Sequence, residues 1–364
     1  MEEQRVSYEA TPIKRQNPLE VLISQLNRSF ELIILPTEQC DFRCRYCNQE
    51  FKLKMMTPEI VNATKILLSK RIPELEHLSI QWFGGEPLLA YGAIKDIMRH
   101  VKEVSGLQNQ KMKLVSSMTT NASHLTSDKL LELSDLGVSG YQITLDGDKG
   151  AHNKLRITAG GKGTFDVIWK NVMAAHASTA GFDAMLRLHV NGENIESMKK
   201  FIDKIADNLH GDKRFALFIR NLSKFGGKYD DTLRFCADST AVNELKRYAI
   251  SKDLRLVAID IYKHEGGHNI CYAAKPNSLI IRADGRIAKC TAHLYDDYNS
   301  IGRINLDGTL SIDPEMHERW IGGFVNGDLS NLSCPRIGIE NEMKLLRRSD
   351  TVQITVPQRV KARV

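Results

Sequence analysis

Six short apolar runs stand out in the first 250 residues: FELIILP (30–36), HLSIQWF (77–83), MKLVSSMTTN (112–121), YQITLDG (141–147), AMLRLHV (184–190) and RFALFI (214–219). Each has the length of a strand. Between them the apolar positions change to a helical period. TPEIVNATKILLSKRI opens with Thr57 as N-cap, Pro58 in the first helical position and Glu59 in the first turn; proline is favoured there because its missing N–H has no partner to lose. SDKLLELSDLG opens on Ser127 and stops at Gly137, where a glycine takes the left-handed conformation that ends many helices. GTFDVIWKNVMAAHA and NIESMKKFIDKIADNL continue the helical period. Strands separated by helices of this length predict parallel crossovers, in an open sheet or a partial barrel. In either, functional groups lie at the carboxyl ends of the strands. The polar landmarks fall there: CDFRCRYC after the first strand, GGEP after the second, TTN and LDG at the ends of the third and fourth.

From about residue 265 the pattern shortens. NSLIIRADGRIAKC (277–290) reads as a hairpin turning at Asp284-Gly285, and NSIGRINLDGTLSID as another turning at Asp307-Gly308. The helical stretch IENEMKLLRR follows. These residues read as a small second domain carrying Cys271, Cys290 and Cys334.

Composition narrows the class. At 42% hydrophobic residues the chain can bury a substantial core, yet it has no run long and apolar enough for a transmembrane helix. Its first residues hold acidic side chains and no apolar signal segment. The expected compartment is the cytoplasm, where thiols stay reduced and clustered cysteines point to metal or catalysis. The net charge of +6 is a mild excess. A basic stretch (Lys344, Arg347, Arg348, Arg359, Lys361, Arg363) closes the chain and reads as a solvated tail rather than an acidic-partner surface. Neither RNA-recognition aromatics nor zinc-finger histidines are present, so nucleic acid is not an expected partner.

Cys40, Cys44 and Cys47 gather three of the seven cysteines into eight positions, with no histidine nearer downstream than His77. A structural zinc site needs four closed ligands, and a [4Fe–4S] cluster also prefers four thiolates. Three thiolates on a cluster leave one iron open to bind a substrate, which gives an incomplete set a use. Phe42 and Tyr46, between the cysteines, are placed to shield such a cluster from water.

CDFRCRYC resembles the CxxxCxxC signature of the radical S-adenosylmethionine (radical SAM) superfamily, and WFGGEPLL (82–89) resembles its second motif. With TTNASHLT, YQITLDGDKGAHNKLR and GKGTFDVIWKNV, the likeness extends over roughly residues 30 to 340, and is to the peptide- and protein-modifying subgroup with a shortened SPASM/Twitch extension. The resemblance implies an α/β fold, a partial (β/α)6 TIM-like barrel with a small C-terminal α+β Twitch-type iron–sulfur extension. The corresponding divisions are an N-terminal extension (1–29), the barrel (30–250), an auxiliary-cluster region (251–346) and the basic tail (347–364). It implies a [4Fe–4S] cluster on Cys40, Cys44 and Cys47 whose open iron chelates S-adenosyl-L-methionine. Reductive cleavage then releases a 5′-deoxyadenosyl radical that abstracts hydrogen from the substrate. Gly84 and Gly85 would let the backbone approach the ligand. The Glu86 region would meet the methionyl ammonium, with Pro87 stiffening the turn. Asn121 is expected at the ribose or carboxylate, Arg156 at the carboxylate, the backbones of Tyr46 and Leu188 at the adenine, and Asp146 at substrate or ribose.

Cys271, Cys290 and Cys334 resemble the Twitch arrangement and imply one auxiliary Fe–S cluster. This chain departs from the pattern by placing Ile337 where a CxxC would put its second thiol. His293, His268, Asp296, a substrate thiol or nothing fills the fourth position. The spacings C-x18-C and x43-C also allow a zinc staple. Cys236 reads as a small buried hydrophobe. The function expected is a maturase that crosslinks, cyclises or epimerises a ribosomally made precursor peptide. It would be served by a flavodoxin- or ferredoxin-like electron donor. With no leader-binding domain ahead of Cys40, the leader would bind elsewhere or to a separate protein. Alternatives are a formylglycine-forming sulfatase maturase, whose relatives usually carry the fuller cysteine set, a radical dehydrogenase of a small molecule, and a zinc-stapled binding protein without catalysis.

Overall fold

A computed structural model describes residues 28–224, 226–257, 270–326 and 329–349. The expected terminal segments fall mostly outside these residues, as does His268. All six expected strands form: β1 (Ser29–Ile34), β2 (His77–Trp82), β3 (Lys113–Thr120), β4 (Val138–Thr144), β5 (Asp183–Val190) and β6 (Phe215–Asn221). They pair in parallel in chain order, with Ile34 opposite Trp82 and Thr144 opposite Arg187. The crossovers carry α1 (Pro58–Arg71), α2 (Tyr91–Gln108), α3 (Ser127–Asp135), α4 (Lys149–Leu155), α5 (Phe165–Ala177) and α6 (Ile195–Leu209), and α7 (Thr240–Ser251) follows β6. Thr57 caps α1 by backbone geometry alone, and Thr126, one residue before the expected Ser127, caps α3 with its side chain.

The strands alternate their faces. Leu78, Ile80 and Trp82 on β2 pack outward with Leu68, Ile97 and Met98 of the helices, all essentially sealed from solvent. Burying each large aliphatic side chain contributes about 1.5–3 kcal/mol. On the other face, Ile33, Gln81, Thr119, Gln142 and Arg187, from β1 through β5, border one cavity together with Leu222 just past β6. A flat sheet cannot converge so many strands on one space, so the sheet curves into the expected partial barrel.

The C-terminal region is built differently from the expectation of a second domain. Both hairpins form, as β7 (Ser278–Ile281) with β8 (Arg286–Ala288) and β9 (Ser300–Ile304) with β10 (Leu310–Ile312). They do not make a separate sheet. β7 pairs in parallel with β1, giving one ten-stranded sheet in the order β10-β9-β8-β7-β1-β2-β3-β4-β5-β6. The reason is the open edge of β1, whose apolar residues and unpaired backbone groups need a neighbour; β7, buried along its whole length, supplies it. Three helices follow: α8 (Pro314–Asn326), α9 (Leu329–Ser333) and α10 (Pro335–Ser349). The last runs beyond the boundary expected at residue 346. Trp320 on α8 is buried and donates from Nε1 to the Tyr298 carbonyl at 2.9 Å, tying the helices to the sheet.

Candidate functional site

The loop after β1 is held on both sides. On one side its backbone is laced to the segment after α4: Arg43 N–H donates to the Ile157 carbonyl at 2.7 Å, Arg45 N–H to Leu155 at 2.8 Å, and Ala159 N–H to Asp41 at 2.7 Å. On the other, Arg282 at the end of β7 makes a two-pronged ion pair with Glu38, both bonds 2.8 Å and both residues buried. Its third nitrogen donates to the Leu294 carbonyl at 2.7 Å. A guanidinium matches a carboxylate in this geometry, and a buried pair survives only when so satisfied. Between these anchors the chain turns tightly, with Cys47 N–H on the Cys44 carbonyl at 3.0 Å.

Cys40, Cys44 and Cys47 all border the barrel cavity, whose volume is about 390 Å3. Phe42 N–H lies 3.3 Å from Cys40 Sγ, a backbone donor suited to a thiolate. Burial pushes all three thiols up, Cys44 to about 11, with the Arg156 charge pulling the other way. As free thiols they keep their protons at neutral pH, and a metal must displace those protons to bind.

The loop after β2 presses directly onto the cysteine loop. Gly84 and Gly85 border the cavity, but their missing side chains point elsewhere. A Cβ on Gly84, which has φ +122°, would sit 2.2 Å from the Thr37 carbonyl oxygen, and one on Gly85 2.2 Å from that of Gln39. The glycines therefore allow close approach of one loop to the other. Glu86 lies off the cavity wall. Its carboxylate accepts from Leu88 N–H (3.0 Å), the Thr120 hydroxyl (2.7 Å) and Asn121 N–H (2.6 Å), binding the loop to the end of β3. Burial raises its pKa against the pull of those donors.

Asn121 reaches the cavity and donates to Asp41 at 2.9 Å. Tyr46 joins the cavity to a buried polar cluster. Its hydroxyl donates to Asp146 Oδ2 at 2.6 Å and accepts from Arg156 at 2.6 Å. Asp146 is fully buried behind the wall, and its other oxygen lies 3.2 Å from His189 Nδ1. Burial alone would raise the Asp146 pKa, but the His189 hydrogen bond and the Arg156 charge hold it well below the usual range. Burial, with Arg187 nearby, lowers His189 to about 4, so it is neutral. Leu188 buries its side chain in the helix-facing core, on the opposite face of β5 from Arg187 and His189. Only its backbone is available for the adenine contact expected of it.

Several cavity residues were not singled out from sequence: Gln81, Thr119, Gln142, Thr144, Arg187 and His189. The signal was present as polar residues at every second position of otherwise apolar strands.

The distant cysteines converge. Cys271 precedes the single turn Tyr272–Ala274, Cys290 follows β8, and Cys334 lies between α9 and α10. Cys271 N–H donates to the Leu332 carbonyl at 2.8 Å. Burial raises the Cys271 thiol to about 11, with Cys290 and Cys334 close enough to add to the shift. Of the expected fourth groups, His293 and Asp296 face each other at 3.1 Å, and Arg336 lies 3.2 Å from the same His293 nitrogen. Ile337 is 56% exposed. Cys236 is half-buried and packs against the hydrophobic core. Tyr272 and Thr291, each next to one of these cysteines, are bonded to each other at 2.8 Å and border the barrel cavity. The second cysteine group thus sits behind a wall of the first one's cavity.

Among the described residues, no three His, Cys, Asp or Glu side chains are drawn together around a single metal ion. A cubane is bound differently, each thiolate taking its own iron and standing further from the others. Three thiols on one pinned loop, facing one cavity with a backbone donor and the Arg156 charge beside them, fit such a cluster with its fourth iron open.

Comparisons with known proteins bear on the family and the fold. Residues 34–205 match the description of the Radical SAM superfamily, which implies a [4Fe–4S] cluster with S-adenosylmethionine. The chain is 23% identical over 335 residues to a cysteine-type anaerobic sulfatase-maturating enzyme of Clostridium novyi, covering 84% of this chain and 85% of that one. Its fold is similar to anSMEcpe with bound AdoMet (TM-score 0.60, 16% identity, 81% of this chain and 79% of that one). It is also similar to Streptococcus suis SuiB bound to precursor peptide SuiA (TM-score 0.56, 17% identity, 84% of this chain and 69% of that one). Residues 34–205 of the chain are thus a radical SAM domain.

Proposed function

We propose that this enzyme modifies a peptide substrate by hydrogen abstraction in the barrel cavity, as a maturase that forms a crosslink or ring or inverts a stereocentre. The observation that carries the reading is the convergence of Cys40, Cys44 and Cys47 on a cavity whose wall is completed by Tyr272 and Thr291 from the second cysteine group. The likeness to a sulfatase-maturating enzyme and to SuiB supports a peptide as substrate.

The cluster with S-adenosylmethionine, when bound, supplies the abstraction of an unactivated hydrogen. The chain's residues bind, orient and shelter. Cys40, Cys44 and Cys47 hold the cluster. The backbone of Gly84 and Gly85, which borders the cavity, would meet the methionyl end, while the Glu86 carboxylate holds that loop to β3. Asn121 and Arg156 are polar partners for the cofactor's ribose and carboxylate. Tyr46, locked by Asp146 and Arg156, forms a rigid wall for the adenine with the β5 backbone at Leu188. Cys271, Cys290 and Cys334 hold one auxiliary cluster, with the fourth ligand from His293 or the substrate. A small flavodoxin- or ferredoxin-like protein delivers the electrons, and the reaction runs in the cytoplasm.

Anaerobic reconstitution with iron and sulfide tests the core of this. The protein is expected to bind labile sulfide and form 5′-deoxyadenosine from S-adenosylmethionine and reductant. The variant with Cys40, Cys44 and Cys47 all changed to alanine should form none, and retained cleavage there would refute the assignment. Cys290→Ala is expected to lose product while some uncoupled cleavage remains. A second reading is favoured by the near full-length likeness to the sulfatase-maturating enzyme. Mass spectrometry of a co-incubated peptide separates the two: loss of two hydrogens with no aldehyde formed, or deuterium uptake in D2O with no mass change in ordinary water, supports the maturase. An aldehyde that reacts with a hydrazide probe supports formylglycine formation.

A further inference from the structure

The barrel cavity holds more fixed positive charge than the protein itself answers. Two guanidiniums, Arg156 and Arg187, border it, and each has a buried Nε with no hydrogen-bond partner. Arg156 is partly accounted for, since it donates to Tyr46 and lies near Asp146 and the Cys44 thiol. The Arg187 side chain makes no hydrogen bond or ion pair among the described residues. Asp146, the carboxylate whose charge acts on Arg187, already serves the Tyr46 hydroxyl and His189. Burial, and then the charge of Arg220 nearby, lower the Arg187 pKa to about 10, which leaves it cationic at neutral pH. A guanidinium withdrawn from water without a counter-charge is costly, and such a group persists where a ligand supplies the missing anion.

The placement says which ligand. Arg187 stands opposite Thr144 in the strand register, with Phe218 on its other side. Thr144 borders the cavity with it. The methionine part of the cofactor brings one carboxylate, for which Arg156 is the partner proposed above. A second cation on the same wall calls for a second anion, carried by the other occupant of the cavity.

We propose that Arg187 is a specificity-determining residue that receives a carboxylate of the substrate, an aspartate or glutamate side chain beside the modified position. The identity of the carrier rests on the peptide reading, whereas the carboxylate requirement rests on the cavity alone. Arg187 offers paired N–H donors to two carboxylate oxygens, a geometry in which an amide isostere leaves one donor facing another.

The test uses the anaerobically reconstituted protein saturated with S-adenosylmethionine. N-acetyl-aspartate amide and N-acetyl-asparagine amide serve as probes, with binding followed by ligand-observed NMR. The aspartate probe is expected to bind about tenfold tighter than the asparagine probe. Arg187→Met should bring that ratio to about one, and Arg187→Lys should keep part of it, so a general loss of folding in one variant is not mistaken for the effect. No binding of the aspartate probe to the S-adenosylmethionine-saturated protein, equal binding of the two probes, or an unchanged ratio in Arg187→Met would overturn the proposal. Tighter binding of inorganic pyrophosphate than of the aspartate probe would likewise overturn it, by making this a phosphate site. Because the probes are single residues, an aspartate preference with no peptide ever modified would sink the peptide reading alone.

Discussion

At the scale of single residues, the site depends on contacts made by side chains that carry no chemistry. Glu38 and Arg282 couple the cysteine loop to β7 through a buried pair. Arg282→Met leaves the buried Glu38 carboxyl without its partner, and is expected to destabilise the protein by about 3–5 kcal/mol in urea unfolding. The double variant Glu38→Leu with Arg282→Met should recover much of that loss. Gly85→Ala forces a Cβ against the Gln39 carbonyl, so the cysteine loop must move. Reduced iron and labile sulfide per chain after reconstitution is the expected result. His152 makes a pH prediction. It is buried and neutral, taking the Asp146 N–H on Nδ1 (3.3 Å) and facing Thr164 Oγ1 with Nε2 (3.0 Å). Burial first, and Arg156 second, lower its pKa from 6.5 to about 3. As pH falls below 6.5 the unfolded chain takes up a proton that the folded chain refuses. Stability should therefore fall with acidification across that window, by roughly 1.4 kcal/mol per pH unit from this group. His152→Asn, less stable at neutral pH, should show a shallower acid slope in urea unfolding.

At the scale of elements, local patterning was a good guide to which segments form strands and helices, and a poor guide to how they associate. The hairpins at Asp284-Gly285 and Asp307-Gly308 were legible from their turn residues. Their docking on β1 was not, because the pairing of β7 with β1 joins residues far apart in the chain and short apolar strands of similar composition carry no address for one another. This pairing has a measurable consequence. β1 and β7 share one hydrogen-bonded ladder, so their amides should exchange with deuterium as one unit. A β7 that exchanged through a separate, lower-energy opening while β1 stayed protected would contradict it. Within the strands the inward polar residues are not legible from sequence, for a related reason. Gln142 and His189 read as interruptions of an apolar run until the curvature of the sheet shows which face encloses a cavity.

At the scale of the whole molecule, the barrel and its extension form one sheet with a shared cavity, so denaturant unfolding is expected to show a single cooperative transition for both. A separate early transition reported by Trp320 on α8 would indicate an independent extension. The sequence by itself determined the elements, the three-thiolate loop and the family, because spacing within a few residues dictates local geometry and a short chelating motif needs no tertiary context to be recognised. Only the tertiary structure decided that the distant cysteines meet behind the same cavity, that Gly84, Gly85 and Glu86 serve loop-to-loop packing, and that Arg187 faces the cavity without a partner. Those outcomes depend on which strand faces pack together and which polar groups find partners across the fold, and long-range pairing settles that only when the whole sheet has closed.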